Sequence, residues 1–205
     1  GARLSADRRV TSNGRHDHFA NEAERTMSRK RGAALVKAYV RPTASIREQI
    51  EIYVRANFAA SFVVGVNYRG TDKHEDARRV PYEEVRAAIH DVLRAAAPRQ
   101  HRIYLATDEQ AFLDYMRGAF PDTLLYRDMF RSVDGRPIDV TNDDDNYLKG
   151  KDAVLDCILL SRADYLIRTA SNLSLCATFF NANAPEILLN RPFEEPARHD
   201  PADHV

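Results

Sequence analysis

An α/β fold, with a five-stranded parallel sheet and helices on both faces, is predicted by three observations. Short apolar runs of strand length alternate along the chain with segments whose apolar residues recur at helical spacing. Strand, helix, strand, helix, strand in units of this length implies parallel pairing through right-handed crossovers. Polar groups also gather just after three of the runs, at Arg69 to Lys73, Thr107-Asp108 and Ser171-Asn172. Parallel sheets of this Rossmann-like kind place their ligands beyond the carboxyl ends of the strands.

The elements follow in order. Residues 1–17 are too poor in apolar groups to offset the entropy of ordering, and a helical pattern then runs over 19–39, weakened by Gly32. Residues 1–43 therefore read as a flexible segment with a linking helix, 44–190 as the nucleotide-binding type of layer, and 191–205 as a surface tail. Arg41-Pro42-Thr43 breaks the first helix, and Ser45 with Glu48 has the spacing of a capping box opening a second one through 57. Strand one is predicted over 62–68. Pro81 suits the first position of a helix running to about 97. Strand two covers 102–107, and Asp108 stands where it would cap a helix over 109–119. Strand three is 123–126. Residues 127–149 form a long loop, either a disordered insertion or a lid, ending in an acidic run, Asp143-Asp144-Asp145. A helix over 150–162, strand four over 164–168, a helix capped by Ser171 and strand five over 186–190 complete the layer.

Composition narrows the function. Thirty basic and thirty acidic residues cancel, which leaves no global field for nucleic acid, so an anion site must be local. The basic run Arg29-Lys30-Arg31 reads as a solvated helix face. No stretch reaches the ~18 apolar residues of a membrane span. Cys157 and Cys176 fall in apolar helical patterns and read as reduced, packed thiols, which favours a cytoplasmic setting. The acidic run lacks the spacing of a calcium loop, so no metal is expected. The sequence shows no redox chemistry, and no cofactor is expected. Neither G-x-G-x-x-G nor G-x-x-x-x-G-K-[ST] occurs, which argues against a dinucleotide dehydrogenase and a P-loop phosphotransferase.

At the end of strand one, Arg69 and Lys73 are donors without acceptor capacity, and Arg69 can grip a phosphate with a two-pronged fork. Gly70 lets backbone approach such a ligand. Ser171 at a helix start offers a hydroxyl and free amides to an anion, or simply a cap. Asp156 lies on the apolar turn of its helix, so it is either satisfied by a neighbour or reserved for a ligand.

Val64 to Lys73 resembles the first signature of the α1,6-fucosyltransferase and protein O-fucosyltransferase superfamily. Tyr104-Leu105-Ala106-Thr107-Asp108 resembles its second, and Leu155-Asp156, Leu160-Ser161, Ala163-Asp164-Tyr165-Leu166 and Thr169-Ala170-Ser171 its third. The resemblance covers about residues 44–190 and implies the C-terminal half of a GT-B glycosyltransferase that takes fucose from GDP-fucose. It implies that Arg69 neutralises the β-phosphate, that Ser171 or Asn172 donates to the same diphosphate, and that Asp156 accepts from the guanine edge. Asp72 and Asp108 would shape the supporting loops. Lys73, with Asp76 or Glu75, would serve the transfer step. Asn67 stands where the family usually has histidine at the nucleotide, and Gly70 where core-fucosylating members have a second arginine.

The implied reaction is a metal-independent, inverting displacement of GDP by a hydroxyl of a glycan or other acceptor. It needs a cation on the departing diphosphate and a carboxylate base. An N-terminal half that carries the acceptor is expected beyond this chain, which alone should bind donor weakly and transfer poorly. A non-catalytic nucleotide-sugar-binding or scaffolding domain, and a transferase of another nucleotide sugar, are the alternatives.

Overall fold

The computed structural model describes residues 28–71, 77–135 and 146–191. Helix α1 spans Arg29–Tyr39, α2 Ala44–Asn57, α3 Tyr82–Ala96, α4 Gln110–Ala119, α5 Asn146–Ser161 and α6 Asn172–Phe180. The strands are β1 Phe62–Tyr68, β2 His101–Thr107, β3 Leu124–Tyr126, β4 Tyr165–Arg168 and β5 Glu186–Leu188. All strand pairs are parallel, in the order β3-β2-β1-β4-β5. The predicted five-stranded parallel layer is thus the observed one.

Alternating side chains divide β1 and β2 between two cores, as strand periodicity requires. Val64, Val66, Tyr68, Ile103 and Leu105 pack with Val85, Ile89 and Val92 of α3 and with Phe112, Leu113 and Met116 of α4. On the other face, Val63, Tyr104 and Ala106 meet Ile50 of α2, Leu155, Ile158 and Leu159 of α5, and Ala177 of α6. The chain leaves β1 towards β2 and β3, then returns to β4 and β5 on the opposite side. The switch in direction lies between β1 and β4, where such sheets open a crevice at their carboxyl ends.

Several local expectations need correction. The cap of α2 is Thr43, whose Oγ1 accepts from the Ile46 amide at 3.4 Å, and not Ser45. Helix α5 spans Asn146–Ser161, so residues 146–149, expected in the loop, are helical and Gly150 lies inside the helix. Residues 127–135 are tied to the sheet: the Ser132 amide donates to the Asp108 carbonyl (2.8 Å), and the Gln110 amide donates to the Ser132 carbonyl (2.9 Å). The acidic run at 143–145 lies outside the described residues. Cys157 is buried and burial pushes its thiol up, whereas Cys176 is exposed rather than packed.

Gly32, which weakens the helical pattern, is required by packing. A Cβ there would stand 2.3 Å from the Phe179 ring of α6. Arg29 strengthens the same contact by donating to the carbonyls of Asn181 (3.2 Å) and Ala184 (2.6 Å). Gly32→Ala should therefore destabilise the chain by about 1–2 kcal/mol, because overpacking outweighs the gain in helix propensity. Urea denaturation would read this, and an unchanged midpoint would mean that α1 can lift away from α6 at no cost.

Candidate functional site

Beyond the carboxyl ends of β1, β2 and β4, hydrogen bonds join the predicted polar clusters into one rim. Thr169, which follows β4, donates its amide to the Asn67 carbonyl (3.0 Å) and accepts from the Arg69 amide through Oγ1 (2.9 Å). Asn67 is 6% exposed, donates to the Ala106 carbonyl (3.3 Å) and accepts from the Ser171 hydroxyl (3.0 Å). This side chain thus ties β1 to β2 and to the start of α6. Asn190, after β5, holds the same region from the other side, accepting from the Ala170 amide and donating to the Arg78 carbonyl, both at 2.7 Å.

The predicted anion groups differ in what they present. The Arg69 side chain is 31% exposed, and its Nε pairs with Asp108 Oδ2 at 3.0 Å. Ser171 is buried and caps α6 by accepting from the Ser174 amide (3.1 Å). Asn172, the first helical residue, is exposed. Of this pair, Asn172 is the exposed one, and the start of a helix favours negative charge.

Asp108 does not cap α4, contrary to expectation. Its Oδ1 accepts from the Gly70 amide (3.0 Å), and its Oδ2 from the Thr71 hydroxyl (2.6 Å) and Arg69. The side chain reaches across to the loop after β1 and is unavailable to the helix behind it. The residue at the cap position, Glu109, makes no side-chain cap bond either. Its Oε1 accepts from Arg79 Nη2 and from the Tyr82 hydroxyl, both at 2.7 Å.

Asp156 is 2% exposed. Its Oδ1 accepts from the Tyr104 hydroxyl (2.7 Å) and from Arg127 Nη1 (3.2 Å), while Arg127 Nη2 reaches Asp152 at 2.6 Å. Of the two sequence readings, satisfaction by neighbours is therefore the one the fold displays. Burial pushes the Asp156 carboxyl up against the opposing pull of Tyr104 and Arg127, and it pushes the Tyr104 hydroxyl up as well.

Asp72, Lys73, Glu75 and Asp76 fall within residues 72–76, outside the described residues. Sequence reasoning did not single out Arg79, Glu109 or Arg127. Arg127 carries a signal in its position just after β3, where an arginine meets the carboxyl rim. Arg79 and Glu109 are thirty residues apart with no motif connecting them. Among the described residues, no group of three or more His, Cys, Asp or Glu side chains could hold a metal ion. No helix there is long and apolar enough to cross a membrane.

The likeness to solved structures agrees with this architecture. The fucosyltransferase NodZ from Bradyrhizobium shares 18% identity at a TM-score of 0.51, over 80% of this chain and 52% of that one. The NodZ α-1,6-fucosyltransferase soaked with GDP-fucose matches to the same extent. POFUT1 in complex with GDP-fucose shares 12% identity at a TM-score of 0.52, over 78% of this chain and 49% of that one. The chain thus spans about half the length of these solved structures. At such identities the likeness is one of fold, and these neighbours are GT-B enzymes. No curated protein matches the sequence. A family model for the α-(1,6)-fucosyltransferase N- and catalytic domains matches residues 33–179, well over half of the length. The chain accordingly belongs to the α-(1,6)-fucosyltransferase family.

Proposed function

We propose that this chain is the donor-binding half of a fucosyltransferase, and that it holds GDP-fucose across the carboxyl rim of β1, β2 and β4. The observation that carries this reading is the setting of Arg69, a partly exposed guanidinium at the topological switch point, gripped by a buried carboxylate that itself braces the adjoining loop. An arginine fixed in this way is suited to a departing diphosphate, because its donors need no reorganisation as charge develops there. The start of α6, where Asn172 is exposed, favours the same charge. Family membership and the GDP-fucose complexes of similarly folded proteins support guanine and fucose as the other parts of the donor.

Transfer itself is an inverting, metal-independent displacement of GDP by a hydroxyl of a glycan or other acceptor, with Asp76 or Glu75 as base and Lys73 beside it. Asp156, already bonded to Tyr104 and Arg127, meets the guanine edge only if that set opens, so base recognition asks more of the fold than phosphate binding does. An acceptor-carrying N-terminal half lies outside this chain on this reading, and the chain works in the cytoplasm.

Calorimetric titration with GDP tests the donor site. Arg69→Ala should weaken binding by about 2 kcal/mol, roughly 30-fold, through loss of a charge-assisted pair to phosphate. Equal affinity in the two proteins would remove Arg69 from the site. Titration with a panel of guanine and uridine diphosphosugars identifies the donor, and preference for a uridine sugar would overturn the GDP-fucose assignment.

A further inference from the structure

The ion pair between Asp108 and Arg69 has a counterpart one residue further along the chain. Glu109 holds Arg79 at 2.7 Å just as Asp108 holds Arg69 at 3.0 Å. The two carboxylates clasp the same glycine between them. Gly70 donates its amide to Asp108 Oδ1, and a Cβ on Gly70 would stand 1.8 Å from Glu109 Oε2. The two arginines are thereby brought to one small patch of the rim, on either side of Gly70.

Glu109 is expensive where it stands. It is 9% exposed, and its Oε2 has no hydrogen-bond partner among the described residues. Leaving such an acceptor unsatisfied is destabilising. What the fold obtains in return is a fixed Oε1, held by the Tyr82 hydroxyl and presented to Arg79. The Arg79 side chain is 51% exposed, and although it engages Glu109 and the hydroxyls of Tyr68 and Tyr82, a guanidinium has five N–H donors to share. Arg79 is thus a half-exposed arginine anchored by a buried carboxylate.

The diphosphate of a nucleotide sugar carries two negative charges and leaves with about three, more than the Arg69 guanidinium can bond alone; Arg79, paired with Glu109 as Arg69 is with Asp108, supplies a second set of cationic donors. We propose that Arg79 is the second cation of the diphosphate site, a binding residue positioned by Glu109, whose carboxylate fills the space that the missing side chain of Gly70 leaves. This rests on the nucleotide-diphosphate reading given above.

The test compares GDP with guanosine as calorimetric titrants of the full chain and of Arg79→Ala, Arg79→Gln and Arg78→Ala. Arg79→Gln keeps an N–H for Glu109 while removing the charge, so it separates loss of the cation from loss of the anchor. Arg78→Ala makes the same change in net charge one residue away, at a side chain engaged with Glu84. Expected are a loss of about 10-fold or more in GDP affinity for both Arg79 variants. Guanosine affinity and the Arg78→Ala titration should stay unchanged, and the salt dependence of GDP binding should be shallower in the Arg79 variants. Unchanged GDP affinity in Arg79→Gln overturns the proposal, and so does equal loss of GDP and guanosine, which would make Arg79 a brace for the fold. If the wild-type chain binds no GDP at all, the nucleotide reading itself fails and this one falls with it.

Discussion

Asp156→Ala should destabilise the chain by about 3–5 kcal/mol, because it removes a buried hydrogen-bond acceptor and leaves a cavity. The Tyr104 hydroxyl loses its acceptor in a site that excludes water, since Tyr104 is fully buried. Arg127 loses one of its two carboxylates, and the apolar residues of α5 around position 156 are left lining a cavity. Asp156→Asn should cost clearly less. The amide oxygen still accepts from Tyr104, and Arg127 keeps its 2.6 Å bond to Asp152. The two variants also separate in their response to pH. Burial raises the Asp156 carboxyl above its ordinary value, so its contribution to stability is fully present below the unfolded pKa of about 3.9 and declines as pH rises through the folded value. Asparagine has no such decline, and the gap between Asp156→Asn and wild type should narrow as pH is raised across that window. Urea denaturation at several pH values reads both effects. Similar losses for Ala and Asn, or a gap that widens with pH, would mean that the Asp156 charge itself stabilises the fold.

The layer was legible because its signals are local. Apolar periodicity in α3 and α4, and β-branched runs such as Phe62 to Val66, are written in consecutive residues and decide element type without help from distant parts. At two instructive places where expectation and fold part company, a distant partner is responsible. Asp108 has the look of a helix cap until the loop after β1 arrives and claims both of its oxygens. Gly32 counts against a helix by propensity, yet the ring of Phe179, far along the chain, leaves room for nothing larger. The same limit governs the site. Arg69 was found because it ends a strand, and Ser171 because it begins a helix. Glu109 and Arg79 acquire their meaning only from a contact across thirty residues, and the free oxygen over Gly70 has no trace in any linear pattern.

Asp108→Ala should harm nucleotide binding more than Arg69→Ala does, although Asp108 carries the wrong charge to touch a phosphate. Three groups depend on its carboxylate: the Gly70 amide, the Thr71 hydroxyl and the Arg69 guanidinium. Gly70 and Thr71 are buried, so each freed donor costs about 1–3 kcal/mol if the loop keeps its shape. The loop is therefore expected to abandon that shape, and Arg69 leaves the rim with it. Removing a carboxylate beside an anion site would by simple electrostatics strengthen anion binding, and that is what makes the variant informative. If Asp108 acts only through its charge, Asp108→Ala binds GDP more tightly. If it acts through position, GDP affinity falls by about 3 kcal/mol, roughly 100-fold or more, as the Arg69 contact and the preorganised loop are lost together. Asp108→Asn distinguishes the two further, since it discharges the site while keeping one acceptor for the Gly70 amide, and it should fall between Asp108→Ala and wild type. Calorimetric titration with GDP, alongside thermal melts showing that the sheet remains folded, decides the matter. Tighter binding in Asp108→Ala would mean that Arg69 finds the diphosphate without its anchor, and the rim would then be a flexible charge cluster in place of a preformed site.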